Sequence, residues 1–270
     1  MIKLIASDLD GTLLDPAGNL PASTFSIIER LCDKGILFCA ASGRPILGLR
    51  KLFEPVADRI LFIAENGAII AKGDRILYCS AIDTQNIQHA LGAIKKLNHV
   101  YPLLCTPECA YYEQEVQPFV KFVQISYLSN ARADLNQIAQ NEHVCKIAVY
   151  DEEGPENNGM KFLPGQLPNL RVIQSGGNWL DISEPDAHKG NAMRMLQNLL
   201  KLTPDECMAF GDHMNDRELL EACTHAYVPE NAYPALKTLF PNIVASNSEE
   251  GVQQAMLAVS EGKTPHTLSK

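Results

Sequence analysis

No run of 18 apolar residues occurs anywhere in this 270-residue chain, so a membrane-spanning helix is excluded. Its first residues, Met1-Ile2-Lys3-Leu4-Ile5-Ala6, lead straight into Asp8 and Asp10. A secretory leader needs a longer apolar stretch and a small-residue cleavage site, and the expected location is therefore the cytoplasm. Surplus positive charge is missing as well: 23 Lys and Arg face 32 Asp and Glu, a formal net charge of −9. That argues against a general nucleic-acid surface and against an anionic membrane as partner. The eight cysteines include no CxxC pair, and several sit in apolar runs, as Cys39 does in Leu37-Phe38-Cys39-Ala40-Ala41. Free buried thiols are expected, with neither disulfides nor a zinc site. HExxH and HxxxH spacings are absent, and so are internal repeats and low-complexity tracts.

What is present is a hydrophobic content of 46%, enough for a substantial core. Short apolar runs alternate with helical periodicity, which predicts an α/β fold. Ile2 to Ser7 reads as a buried strand ending at Asp8. Residues 22 to 34 place Phe25, Ile28 and Leu31 at helical spacing, with Gly35 suited to the helix end. Leu37 to Ala41 and Ile60 to Ala64 are further strands, and Asn66 to Tyr78 alternates about Gly73-Asp74 like a hairpin. Residues 84 to 97 form an amphipathic helix through Ile87, Leu91, Ile94 and Leu97. Strand-like pieces at 102–105, 110–113, 145–150 and 170–174 follow, with a helix near 132–141 between them. The stretch 151–159 is polar and reads as a loop outside the core. The strict rhythm resumes at Lys189 with a helix over 190–201, a turn at Thr203-Pro204 and a strand over 207–210. The expected architecture is a Rossmann-like parallel-sheet core, residues 1–83 and 187–270, with an α/β domain inserted over 84–186.

Acidic residues collect at two strand ends. Asp8 and Asp10 follow the first strand, and Asp212 and Asp216 follow the strand at 207–210. Sites in open parallel sheets form beyond the carboxyl ends of the strands. If these two strands are neighbours, the four acids converge. Two carboxylates 4 Å apart repel by about 4 kcal/mol at an effective dielectric near 20, so such a cluster calls for a cation. Hard oxygen ligands with few protein contacts suit Mg2+. Taken singly, Asp10-Gly11 is an ordinary turn former. Ser42 and Gly43, at the end of a strand and before a helix, offer a hydroxyl and backbone N–H groups as a phosphate cradle.

The ordered set is more specific than its parts. Asp8-Leu9-Asp10-Gly11-Thr12 resembles the first motif of the haloacid dehalogenase superfamily. Ala41-Ser42-Gly43-Arg44 is similar to its second, Lys189-Gly190 to its third, and Gly211-Asp212-His213-Met214-Asn215-Asp216 to its fourth. The insert between the second and third motifs resembles the α/β cap of the Cof-type phosphatases, which sets substrate choice. The resemblance implies a Mg2+-dependent phosphatase acting on small phosphorylated metabolites through an aspartyl-phosphate. It makes Asp8 the nucleophile and Asp10 the acid and base, two residues apart so that their side chains project alike from a continued strand. It gives Mg2+ the side chains of Asp8 and Asp212 and the main-chain carbonyl of Asp10. Lys189 would stand against the phosphate and Asp8, with Leu9, Ser42, Gly43 and Asn215 also on the phosphate. Asp216 would orient either the metal's water or Lys189, and Arg44 would either hold the substrate or brace its loop.

His188 and His213, beside the motifs, are expected at the rim of the site. Trp179, Tyr111 and Tyr112 are expected to pack inside the insert. Sugar phosphates, pyridoxal phosphate and flavin mononucleotide are the candidate substrates. A phosphosugar mutase of the same superfamily is the alternative enzyme, although it needs a second phosphate site and the insert holds only Arg132 and Arg171. A phosphorylation-sensing receiver module is shorter and has its acidic pair adjacent. A non-catalytic phosphate-binding protein would not need the full set of acids and lysine.

Overall fold

The structure, a computed structural model, describes residues 1–268. Two compact units form. One contains Met1–Arg44, Leu49–Leu77 and 188–268, the other Pro45–Gly48 and Tyr78–Ala187.

In the first unit the chain begins with β1 (Leu4–Ser7), α1 (Ser23–Asp33), β2 (Leu37–Ala41), α2 (Ile46–Leu52), β3 (Leu61–Ala64), β4 (Ile69–Lys72) and β5 (Arg75–Cys79). All four residues of β1 and of β3 are buried, as expected for strands covered on both faces. Alternation divides them. Leu4, Ala6, Cys39, Ala41, Leu61 and Ile63 share one core cluster. On the other strand face Phe38 and Phe62 each lie about 6 Å from the Phe53 ring, at 6.1 and 6.2 Å between centroids.

The second unit carries α3 (Thr84–Ile94), β6 (Val100–Cys105), β7 (Ala110–Tyr112), α4 (Phe119–Ser126), β8 (Asn130–Arg132), α5 (Leu135–Asn141), β9 (Lys146–Asp151), α6 (Gly159–Gln166), β10 (Arg171–Gly176) and β11 (Trp179–Ser183). Its six strands run in the order β10-β11-β9-β6-β7-β8. One sheet face packs Leu104, Ile147, Val149, Leu180 and Ile182 against apolar residues of α3, α5 and α6. The other gathers Leu103, Cys105, Tyr112, Ala148 and Tyr150 with Phe119, Val120 and Val123 of α4. Trp179 and Tyr112 pack here on Phe119, both at 6.1 Å between centroids, and Tyr111 lies against the opposite cluster. The polar stretch 151–159 is not wholly outside the core. Asp151 is fully buried, because its carboxylate accepts from Gly159 N at 2.8 Å and Asn158 Nδ2 at 3.2 Å where α6 begins.

The chain then completes the first unit with α7 (Lys189–Leu200), β12 (Cys207–Phe210), α8 (Arg217–Glu221), β13 (His225–Pro229), α9 (Pro234–Leu239), β14 (Ile243–Val244) and α10 (Gly251–Ser260). Its sheet has the order β14-β13-β12-β1-β2-β3-β4-β5. The pairs from β14 through β3 are parallel, and β4 runs antiparallel to β3. The fold is α/β with a Rossmann-like parallel-sheet core. Among the described residues, no helix is long and apolar enough to cross a membrane. All eight cysteines are free thiols.

Candidate active site

Strand register brings the first and fourth motifs together. β1 pairs in parallel with β12, Ser7 lying opposite Phe210. One step further along each strand stand Asp8 and Gly211, and Asp8 N donates to Phe210 O at 3.0 Å. The strand after β1, β2, pairs on its other side and delivers Ser42 through Arg44. The site thus lies at the carboxyl ends of three adjacent strands, where parallel sheets leave a crevice.

Beyond Asp8 the chain does not continue as a strand. Leu9–Leu13 form a wide helical turn, in which Gly11 takes φ +81°. A Cβ on Gly11 would lie 2.4 Å from Asp212 Oδ2, so glycine is required both for the backbone and for the approach of that carboxylate. The turn is pinned from two directions. Thr12 Oγ1 donates to Asp212 Oδ1 at 3.1 Å, and Asn231 Nδ2 donates to Gly11 O at 2.7 Å. As a result Asp8 and Asp10 differ sharply: the Asp8 side chain is 8% exposed and that of Asp10 58%. The expected convergence of four acids is corrected to three, because the strand geometry that would align residues i and i+2 ends at Asp8. Asp10 instead forms a two-pronged ion pair with Arg44, Nε to Oδ2 at 3.0 Å and Nη2 to Oδ1 at 2.5 Å.

Lys189, the first residue of α7, is 1% exposed. Its ammonium donates to Asp8 Oδ1 at 2.5 Å and to Asp216 Oδ1 at 2.6 Å. The second oxygen of Asp216 accepts the backbone N–H groups of Asp212 and His213 at 3.1 and 3.2 Å. Asp216 therefore ties the lysine to the loop that carries Asp212. A Cβ on Gly211 would meet the Asp216 Cβ at 2.4 Å, which accounts for the glycine there. Burial alone would lower the pKa of Lys189, but the Asp216 and Asp8 carboxylates outweigh it and hold the ammonium above its ordinary value. Burial, and then the charge of Asp216, push Asp8 up to about 8 against the pull of Lys189. Burial and Asp216 also raise Asp212.

On the β2 side, Ser42 is buried and its Oγ accepts Arg44 N at 3.2 Å. This loop is held by a turn that the sequence did not announce. Glu65, Asn66 and Gly67 all have positive φ, at 49°, 55° and 109°. Asn66 N donates to Ser42 O at 3.1 Å and Glu65 N to Arg44 O at 3.2 Å. The hairpin expected about Gly73-Asp74 forms as β4 and β5, while its first two residues, Asn66 and Gly67, belong with Glu65 to a left-handed bracket before β4 begins. The other expected residues are placed as follows. Leu9 is fully buried, leaving only its backbone for a ligand. Asn215 is exposed within the turn Met214–Asp216. His188 caps α7 through Nδ1, accepting Asn191 N at 3.3 Å, and the exposed His213 ring lies 5.2 Å from that of Tyr233. Asn231, Glu65 and Asn66 are the neighbours that motif reading did not select, and Thr12, quoted within the first motif, was given no role there.

The donor chemistry fits a hard divalent cation. Asp8, Asp212 and Asp216 offer carboxylate oxygens that all lie within 4.8 Å of one another. Burial first, and the neighbouring Asp216 carboxylate second, disfavour the charged forms of Asp8 and Asp212, and a cation among these oxygens would offset that cost. Only oxygen ligands are on hand, which selects against soft metals.

Comparison with known proteins gives the same direction. A family model described as haloacid dehalogenase-like hydrolase matches residues 5–256. A 5-amino-6-(5-phospho-D-ribitylamino)uracil phosphatase of Escherichia coli is 25% identical, with 98% of each chain covered. An HMP-PP phosphatase of Cronobacter sakazakii is 27% identical over 90% of this chain and 89% of its own. A crystal structure from Eubacterium rectale superposes with a TM-score of 0.87 at 27% identity, covering 97% of this chain and 98% of that one.

Proposed function

This chain belongs to the haloacid dehalogenase-like hydrolases, and from that premise we propose that it is a Mg2+-dependent phosphatase of small phosphorylated metabolites. The observation that carries the reading is the buried triad in which Lys189 bridges Asp8 and Asp216, beside Asp212. A charge arrangement of this kind is costly to bury and is suited to a dianionic phosphoryl group held together with a cation.

Asp8 is the nucleophile. One of its oxygens attacks the phosphorus in line, the ester P–O bond breaks, and the leaving oxygen takes a proton from Asp10. A water then attacks the phosphorus of the aspartyl-phosphate, passing its proton to Asp10 as the P–O bond to Asp8 breaks and orthophosphate leaves. Asp8 and Asp212, with the Asp10 main-chain carbonyl, would hold Mg2+, which supplies positive charge against the phosphoryl oxygens. Lys189 keeps Asp8 oriented and meets the phosphate, while Asp216 fixes Lys189. Ser42 and the Gly43 N–H cradle the phosphoryl oxygens, with Leu9 contributing its backbone and Asn215 its carboxamide. Arg44 steadies Asp10. Residues 1–83 and 187–270 perform the chemistry, and the insert 84–186 selects the substrate. The names of the relatives extend the candidates from sugar phosphates, pyridoxal phosphate and flavin mononucleotide to 5-amino-6-(5-phospho-D-ribitylamino)uracil and HMP-PP. The expected location is the cytoplasm, where such metabolites occur.

The test is release of orthophosphate from p-nitrophenyl phosphate and from a panel of these metabolites. Turnover is expected with Mg2+, to fall at least a hundredfold in excess EDTA, and to return on adding Mg2+. Ca2+ should restore little, since its longer bonds and higher coordination number disturb the alignment of phosphate and nucleophile. Full activity after exhaustive chelation would refute the metal requirement, and no turnover of any phosphomonoester would refute the phosphatase.

A further inference from the structure

The turn Glu65–Gly67 does more than connect β3 to β4. Left-handed backbone costs roughly 1–2 kcal/mol at a residue with a side chain, and two such residues stand in succession here. Such conformations persist where the surroundings over-determine them. They do so here: Asn66 N and Glu65 N are bonded to the carbonyls of Ser42 and Arg44. Gly67 packs so tightly on the start of α7 that a Cβ would meet His188 C at 2.3 Å and Lys189 N at 2.8 Å. One rigid bracket therefore links the backbone of Ser42–Arg44 to that of Lys189.

The Asn66 side chain lies on the Gly43 side of that bracket. A Cβ on Gly43 would be 3.0 Å from both Asn66 Nδ2 and Asn66 Oδ1. The carboxamide thus occupies the space that a side chain on residue 43 would fill. It makes no hydrogen bond to any described residue, and Asn66 is only half-buried. An open carboxamide carried on a pinned backbone beside a phosphate cradle is an arrangement with a use. We propose that Asn66 is a substrate-binding residue whose Nδ2 donates to a non-reacting oxygen of the bound phosphoryl group. This rests on the phosphatase reading above, with Ser42 and Gly43 as the cradle.

The competing explanation is local: asparagine tolerates left-handed backbone better than most residues and could be there for that alone. Asn66→Gly separates the two, because glycine adopts the same backbone without strain while removing the carboxamide. Asn66→Asp keeps the shape and replaces the donor with a negative charge. The readouts are Tm, KM for p-nitrophenyl phosphate, and Ki for inorganic phosphate as a competitive inhibitor, all with Mg2+. Asn66→Gly is expected to keep or raise Tm and to weaken inorganic phosphate about 10- to 100-fold, the range for a hydrogen bond to a charged group. Asn66→Asp should weaken it further. An active wild type whose Ki for phosphate is unchanged in both variants would overturn this inference and leave the phosphatase standing. A changed KM with an unchanged Ki would overturn the phosphoryl contact as well. A wild type that neither hydrolyses phosphomonoesters nor binds phosphate would remove both readings together.

Discussion

Asp8→Asn protein should fold, bind Mg2+ poorly and show turnover reduced at least a thousandfold. The carboxylate is both the attacking group and one of the acids of the cluster, and an amide at the same position cannot form the aspartyl-phosphate. The fold should survive, because the environment of Asp8 disfavours its charge. Burial and the Asp216 carboxylate raise its pKa to about 8 even though Lys189 is 2.5 Å away. A neutral side chain of equal size removes that cost, and Lys189 retains its bond to Asp216 at 2.6 Å. Tm measured in EDTA should therefore be equal to the wild-type value or higher. Loss of activity with an unfolded protein would mean nothing, so circular dichroism accompanies the assay. The covalent mechanism fails if the folded variant keeps a tenth of wild-type activity.

The two halves of this site were legible to different degrees. β1, β2 and β12 are short runs, apolar but for Ser7, that stop at Asp8, Ser42 and Gly211-Asp212, and their order in the sheet follows from parallel pairing. Lys189 at the head of α7 was readable only through the ordered motif set, since a lone lysine before a helix is usually solvated. The path after Asp8 was not. Strand logic aligned Asp8 with Asp10, but Gly11 at φ +81° turns the chain and leaves Asp10 with Arg44. Glu65–Gly67 escaped notice for a related reason. Positive φ at a glutamate is a property of its surroundings, here the Arg44 carbonyl that accepts Glu65 N, and leaves no trace in residue type. In the insert, α4 was missed because Phe119, Val120 and Val123 favour strands by propensity and become helical by packing on one sheet face. Pro164 and two glycines hid α6. These helices are fixed by tertiary contacts, which outweigh propensity in short elements.

Lys189→Met should give the largest combined loss of stability and activity of any single substitution in the site. The lysine is 1% exposed, and its ammonium lies between the carboxylates of Asp8 and Asp216. Methionine fills much of the same volume but leaves Asp8, Asp212 and Asp216 facing one another with their oxygens within 4.8 Å. Removing one partner of a buried ion pair typically costs 3–5 kcal/mol, which for a chain of this size lowers Tm by roughly 10 °C in metal-free buffer. Added Mg2+ should raise the Tm of the variant by more than that of the wild type, since the variant lacks the resident positive charge. Turnover at saturating Mg2+ should still fall about a thousandfold, the scale for deleting one preorganised charge from a transition state. Lys189→Arg should recover little of it, because a planar guanidinium is larger than the buried ammonium it replaces and cannot reach both carboxylates in the same way. If Lys189→Met retained Tm in EDTA and more than a tenth of its turnover, the lysine would be a spectator, and positive charge for the phosphoryl group would have to come from the metal alone.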